Sequence, residues 1–227
     1  MVNRKKIIIT LDGSASTGKS SLAKRLSNTL GYMHIDSGSM YRAATLFALR
    51  LDPERILRPN VFVKYLSEIN IDFKKINEEQ KIFLNNEDVS HEIRETYVTN
   101  EVSNVAKLPE LRSFLVSKQK EFGKNKGIIM DGRDIGTIVF PDAECKFFLS
   151  AKVEVRAKRR HLEQLKQGIN QTYKMVLDNL ITRDRLDTKR VNSPLKKAVD
   201  AIEIDVSNMT LDDVYEKLLT YIKNQIV

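Results

Sequence analysis

Apolar residues follow two alternating rhythms along most of this chain. Five short runs have the length and β-branched or aromatic content of buried strands: Ile7-Ile8-Ile9-Thr10-Leu11-Asp12, Tyr32-Met33-His34-Ile35-Asp36, Gly127-Ile128-Ile129-Met130-Asp131, Cys145-Lys146-Phe147-Phe148-Leu149 and Ala201-Ile202-Glu203-Ile204-Asp205. Longer stretches between them carry helical spacing. They predict helices over residues 20–30, stopped by Gly31, and 39–49, where Met40, Ala43, Ala44, Phe47 and Ala48 share a face after a Ser37-Gly38 turn. Asp52-Pro53 caps and opens a helix toward Leu66. Further helices are expected over 92–107, 109–122, 153–167 (capped by Ser150, ended by Gly168), 172–186 and 211–226. Strands separated by helices predict an α/β protein with a doubly wound, five-stranded parallel sheet, whose ligands sit at the carboxyl ends of the strands.

Between residues 69 and 89 the period changes. Ile69, Ile71 and Phe73 alternate with polar residues, Ile82-Phe83-Leu84 is a second apolar run, and turn-forming residues separate them. Two or three short antiparallel strands fit, and they read as an insert in the strand–helix pattern. The 227 residues, 41% of them hydrophobic, suffice for one domain carrying such an insert. The expected division is a core of residues 1–36, 124–151 and 191–227, an insert-bearing region 37–123, and a helical hairpin 152–190.

The first strand runs into Gly13-Ser14-Ala15-Ser16-Thr17-Gly18-Lys19-Ser20, and a helix follows. This is a phosphate clamp in its required context. Gly13 and Gly18 free the backbone to curl its N–H groups around phosphate oxygens, and the helix aims its positive end at the same anion. Lys19 supplies a charge that can follow the β- and γ-phosphates. Ser20 and Ser21 are successive hydroxyls able to ligate Mg²⁺, with Ser20 at the motif position. A nucleoside triphosphate is the expected ligand.

Other polar residues collect where such a fold puts its site. Asp36-Ser37-Gly38, Tyr41 and Arg42 follow the second strand; Asp131-Gly132-Arg133-Asp134 follows the third. Asp131 is placed to hold Mg²⁺ through water, and Arg133 offers a planar fork for phosphate. Arg156, Arg159 and Arg160 share one helix face, ordinarily a solvated basic stripe. Residues 183–190 pack Arg183, Arg185, Lys189 and Arg190 around Asp184 and Asp187, where an acid can fix arginine rotamers or accept from a base or sugar. Phosphoryl transfer between nucleotides needs Mg²⁺, several guanidinium donors and exclusion of water; an arginine-bearing hairpin over residues 152–190 could supply the last two.

Charge and composition narrow the classes. A net charge of +8 fits anionic partners, but no stacking-aromatic ribbon or RNA-binding motif accompanies it, so nucleic acid is not an expected partner. No apolar run approaches membrane-span length, and one cysteine, Cys145, cannot form an internal disulfide; a cytoplasmic protein is expected. His34, His91 and His161 lack metal-ligand spacing.

Taken together, residues 11–21, Asp36-Ser37-Gly38-Ser39-Met40-Tyr41-Arg42, residues 87–94, Asp131-Gly132-Arg133-Asp134-Ile135-Gly136-Thr137, residues 139–143, 183–190 and Ser193-Pro194-Leu195 resemble the bacterial-type cytidylate (CMP) kinases of the nucleoside monophosphate kinase group. The resemblance covers nearly the whole chain. It implies transfer of the γ-phosphate of ATP, with Mg²⁺, to CMP or dCMP; a monomer is expected. It further implies that Ser37, Arg42, Arg133, Asp134, Arg183, Asp187 and Arg190 bind CMP, and that Ser103 and Arg112 read cytosine; Tyr41, within the Asp36-to-Arg42 motif, is expected at the same substrate site. Region 37–123 would be the monophosphate-binding region and 152–190 the lid, with Arg156, Arg159 and Arg160 as phosphate-contacting lid arginines; residues 207–209 would lie near adenine. Lys19 and Arg133 would be catalytic with them. The family clamp has proline and glycine where this chain has Ser14 and Ser16. Related groups fit less well. A shikimate kinase type needs no insert, an adenylate kinase shows Phe-Pro-Arg after its Asp-Gly, and a GTPase needs Asn-Lys-x-Asp, whereas Asn125-Lys126-Gly127-Ile128 ends on the wrong residue.

Overall fold

The computed structural model describes residues 5–51, 62–77, 79–166 and 168–226. The chain divides into two compact units, one of residues 1–34 and 122–227 and one of residues 35–121.

The first unit is built on a five-stranded sheet with β1 (Ile8–Gly13) at its centre. Across it the order is β2 (Met33–Asp36), β6 (Ile128–Gly132), β1, β7 (Cys145–Ser150), β8 (Ile202–Asp205). β1 pairs in parallel with β6 and β7, and β7 with β8. Strands covered on both faces need continuous apolar runs, as the starts of β1 and β6 show, whereas β8 at the sheet edge alternates apolar and acidic residues. Ile7, Ile9 and Leu11 are fully buried against Leu22, Ala23 and Leu26 of α1 (Lys19–Leu30) and Val214, Leu218 and Ile222 of α7 (Leu211–Ile226). Each such side chain contributes roughly 2 kcal/mol of burial. The register sets Asp12 opposite both Gly132 and Phe148, so the strands that carry the polar residues end level. Gly13 is obligatory here. Its φ is 145°, and a Cβ would stand 2.1 Å from the Leu149 carbonyl oxygen.

The second unit holds the insert. β3 (Ile71–Ile76) and β4 (Glu79–Leu84) form an antiparallel hairpin, Phe73 facing Ile82, and the short β5 (Glu87–Asp88) adds to β4. Asn85 and Asn86, at φ 49° and 70°, make the tight turn into β5. The helices are α2 (Ser37–Leu51), α3 (Thr96–Val105) and α4 (Pro109–Phe122). Arg50 at the end of α2 pairs with Glu87 and Glu92, tying the small sheet to the helix.

Several local expectations are corrected. Ser37-Gly38 is not a turn but the first turn of α2, because the Asp36 carboxylate accepts the Ser39 N–H at 3.0 Å and caps the helix there. The single helix expected over 92–107 breaks at Glu95 (φ −60°, ψ 150°), leaving a 3₁₀ turn at Glu92–Arg94 and then α3. Ser150 is the last residue of β7 and caps nothing. The N–H of Lys152, just before α5 (Val153–Lys166), instead donates to Ser207 Oγ at 3.0 Å. Thr172 caps α6 (Tyr173–Thr188) by accepting from Met175 N, and the helix runs past Leu186. Most of the helix expected from Asp52 toward Leu66 lies outside the described residues; Val63–Glu68 is a 3₁₀ turn. Cys145 is buried, its thiol pushed up to about 11 by burial and then by Glu144.

Candidate active site

The clamp follows directly from β1. Gly18 has φ 89° and Ser16 φ 61°, so a serine takes the left-handed conformation at one of the positions where the resembling family has glycine. That conformation costs a non-glycine residue of order 1–3 kcal/mol. Lys19, 5% exposed, folds back over the loop and donates to Ser14 O at 2.6 Å and Thr17 Oγ1 at 3.1 Å. Burial, then the neighbouring charge of Arg133, pushes its ammonium well below the ordinary range; Asp131 and Asp12 oppose the shift. An anionic phosphate brought to the loop would oppose it further.

Beside the clamp, Ser20 Oγ donates to Asp131 Oδ2 at 2.7 Å, while the other oxygen of Asp131 meets His34 Nε2 at 2.6 Å. Ser20 is thus the hydroxyl that meets the strand-end acid. Nothing in the sequence marks His34 as a site residue, since its partner stands 97 positions away. Hard oxygen donors of this kind suit Mg²⁺. Among the described residues there is no group of three or more His, Cys, Asp or Glu able to hold a metal. Mg²⁺ carried by phosphates needs only one or two protein oxygens.

Asp187 organises the arginines. Arg133 Nε donates to its Oδ2 at 2.9 Å and Arg190 lies 3.7 Å from its Oδ1. Burial would raise its carboxyl, but Arg133, Arg183 and Arg190 outweigh that and hold it below the usual range. An acid fixing arginine rotamers is therefore one role it fills. Asp134 is buried next to Arg133.

The three hairpin arginines do not form one solvated stripe. Arg156 is 4% exposed, and its fork donates to Ala151 O at 2.9 Å, Ala15 O of the clamp at 3.3 Å and Asp184 Oδ2 at 2.6 Å. Arg159 donates to Val206 O and Met209 O, holding the loop after β8. Arg160 pairs with Glu163 one turn along the same helix, near the surface. Helical spacing alone could not separate them, because what packs on α5 comes from α6, the clamp and the β8 exit.

In the second unit, Asp36 Oδ2 accepts from Arg42 at 3.0 Å, and Arg42 also donates to Ser39 Oγ at 2.8 Å. Ser37 is buried beside them in sequence. Arg112, 3% exposed on α4, donates to Ala106 O at the end of α3, the helix that carries Ser103. Its guanidinium lies 5.2 Å from the Tyr41 ring centroid, within cation–π range.

A central parallel strand entering a glycine-gated phosphate loop, with a hydroxyl–acid pair and clustered arginines beside it, defines a nucleotide-dependent phosphotransferase of the P-loop kind. The cytidylate kinase family model matches residues 9–224. Curated cytidylate kinases from Flavobacterium psychrophilum (45% identical, 97% of this chain and 99% of that protein) and Bacillus pumilus (46%, 95% and 96%) align over nearly their whole lengths. This chain belongs to the cytidylate kinase family. A solved structure of an uncharacterized protein from Eubacterium ventriosum shares the fold at TM-score 0.53 and 12% identity, covering 97% of this chain and 99% of that one.

Proposed function

We propose that this protein moves the γ-phosphate of ATP to CMP or dCMP, yielding ADP and CDP or dCDP. Membership of the cytidylate kinase family supports the reaction. One observation carries the chemistry: Asp187 accepts from Arg133 at 2.9 Å with Arg190 3.7 Å away, and the charge of Arg133 acts on the buried Lys19 of the clamp. Lys19 and the clamp amides would hold the ATP phosphates, and Arg133 would stabilise charge on the group in flight. Bound Mg²⁺ would neutralise phosphate charge, with Ser20 and Asp131 holding it. Arg156, Arg159 and Arg160 are the proposed lid arginines on the hairpin of residues 152–190. Ser37, Tyr41, Arg42, Asp134, Arg183, Asp187 and Arg190 are the proposed CMP contacts, with Ser103 and Arg112 reading the base. Among the described residues no helix is long and apolar enough to cross a membrane; we take the enzyme to act as a cytoplasmic monomer without nucleic acid.

Cytosine and uracil are nearly isosteric, so they must be told apart by hydrogen-bond polarity. A donor aimed at cytosine N3 meets an N–H in uracil, a mismatch that costs about 1–3 kcal/mol when buried. In an assay of ADP release across monophosphates, CMP should exceed UMP roughly tenfold or more in kcat/KM, with AMP and GMP inactive. Arg112→Met should erode the CMP preference more than it affects ATP. Equal use of UMP and CMP, or an unchanged ratio in Arg112→Met, would remove the base-reading assignment while leaving the kinase reading intact.

The metal side is tested separately. Ser20→Ala should raise the Mg²⁺ needed for half-maximal turnover about tenfold, because Ser20 is the hydroxyl that meets Asp131, whereas Ser21→Ala should leave it unchanged. The reverse pattern in a Mg²⁺ titration would reassign the ligand to Ser21.

A further inference from the structure

Asp12 is the penultimate residue of β1, directly before the first glycine of the clamp, and is 4% exposed. Its Oδ1 accepts the N–H of Ile135 at 2.9 Å and its Oδ2 that of Gly136 at 2.7 Å. These amides open the π turn Ile135–Val139, which begins directly after Arg133 and Asp134. Two charge-assisted bonds from one buried carboxylate set both the position and the direction of that turn. Gly136 makes the approach possible, since a Cβ there would stand 3.0 Å from Thr10 Oγ1 and 3.3 Å from Asp12 Oδ2. Burial pushes the Asp12 carboxyl up to about 6 against the pull of the two amides; Asp134 adds to the rise and Lys19 opposes it. A buried charge on the central strand is costly to keep where a neutral cap would satisfy one of the donors. What it secures is a rigid link between two chain segments 123 positions apart.

We propose that Asp12 is a positioning residue of phosphoryl transfer: it locks the Arg133–Asp134 segment to the strand that carries the clamp, fixing the acceptor phosphate's ligands relative to the donor's. The inference rests on the assignment of Arg133 and Asp134 to CMP.

The test compares Asp12→Asn, Arg133→Met and the double variant, each confirmed as folded by circular dichroism and assayed with CMP and ATP varied in turn. In Asp12→Asn the amide Nδ2 presents a donor to one of the two N–H groups, which no longer pair. Loss of about 1.4–2.8 kcal/mol, as for an unpaired buried donor, corresponds to kcat/KM for CMP falling roughly ten- to hundredfold. The KM for ATP should stay within about twofold, which general loosening of the fold would not spare. In the Arg133→Met background the further loss should shrink to about threefold or less, because residues acting through one group are not additive. Gly136→Ala, which displaces the turn and keeps the carboxylate, should show the same CMP-selective loss and carries the test if Asp12→Asn does not fold. Equal losses toward CMP and ATP, full multiplication in the double variant, or unaltered CMP kinetics in Gly136→Ala would overturn the proposal. An Arg133→Met enzyme with normal CMP kinetics would instead overturn the assignment of Arg133 itself.

Discussion

Lys19→Ala is expected to lower turnover by a few hundred-fold while weakening ATP binding far less. The side chain is 5% exposed and held by Ser14 O and Thr17 Oγ1. In that position it can move onto a phosphate that gains charge as it leaves ATP. A preorganised charge in a water-poor site is worth about 3–4 kcal/mol at the transition state, or roughly a few hundred-fold in rate. Stability should not fall. Burial and Arg133 already disfavour the charged lysine, which offsets the two hydrogen bonds that alanine loses. Steady-state turnover, ATP affinity by fluorescent-nucleotide displacement and a thermal melt together decide the matter. A variant with near-normal turnover would exclude Lys19 from the chemistry.

Arg156→Lys is expected to cost turnover about a hundredfold or more, on the scale of a lost transition-state donor, whereas Arg160→Lys should stay within about twofold, as for an exposed pair. Arg156 directs its fork to Ala151 O, the clamp carbonyl of Ala15 and Asp184, three acceptors that an ammonium cannot serve together. Keeping the charge therefore does not keep the function. A stripe of interchangeable cations would have left stability unchanged on substitution by lysine, but the buried setting of Arg156 predicts a loss of roughly 1–3 kcal/mol as well. Turnover is accordingly compared well below the melting midpoint of each variant. Full activity in Arg156→Lys would reduce this residue to an internal brace, and a large loss in Arg160→Lys would move the phosphate contact to the exposed position.

Features whose causes lie close together in the chain were legible without coordinates. The run Ile7 to Asp12 leads into glycines at the two positions where the loop needs freedom, and Lys19 follows at fixed spacing; strand, clamp and helix are all decided within about twenty residues. The five strands, the antiparallel insert and the final helix at Leu211–Ile226 were likewise readable from period alone. Helix starts were harder. Asp36 moved the beginning of α2 to Ser37 through a bond to Ser39 N, and Glu95 broke an apolar pattern that looked continuous.

The site's internal connections had no local sign. Ser20 with Asp131, His34 with Asp131, Arg133 with Asp187 and Asp12 with Gly136 join residues 54 to 124 positions apart, and no period in a chain encodes which side chains meet once strands are laid side by side. The same holds for Arg156, Arg159 and Arg160. Their spacing put them on one helix, but their different burial was decided by what α6, the clamp and the β8 exit placed against that helix. Local sequence sets conformation and periodicity because those depend on neighbours a few bonds away. Pairing, burial and charge balance depend on groups brought near only by the completed sheet, so tertiary structure alone decided them.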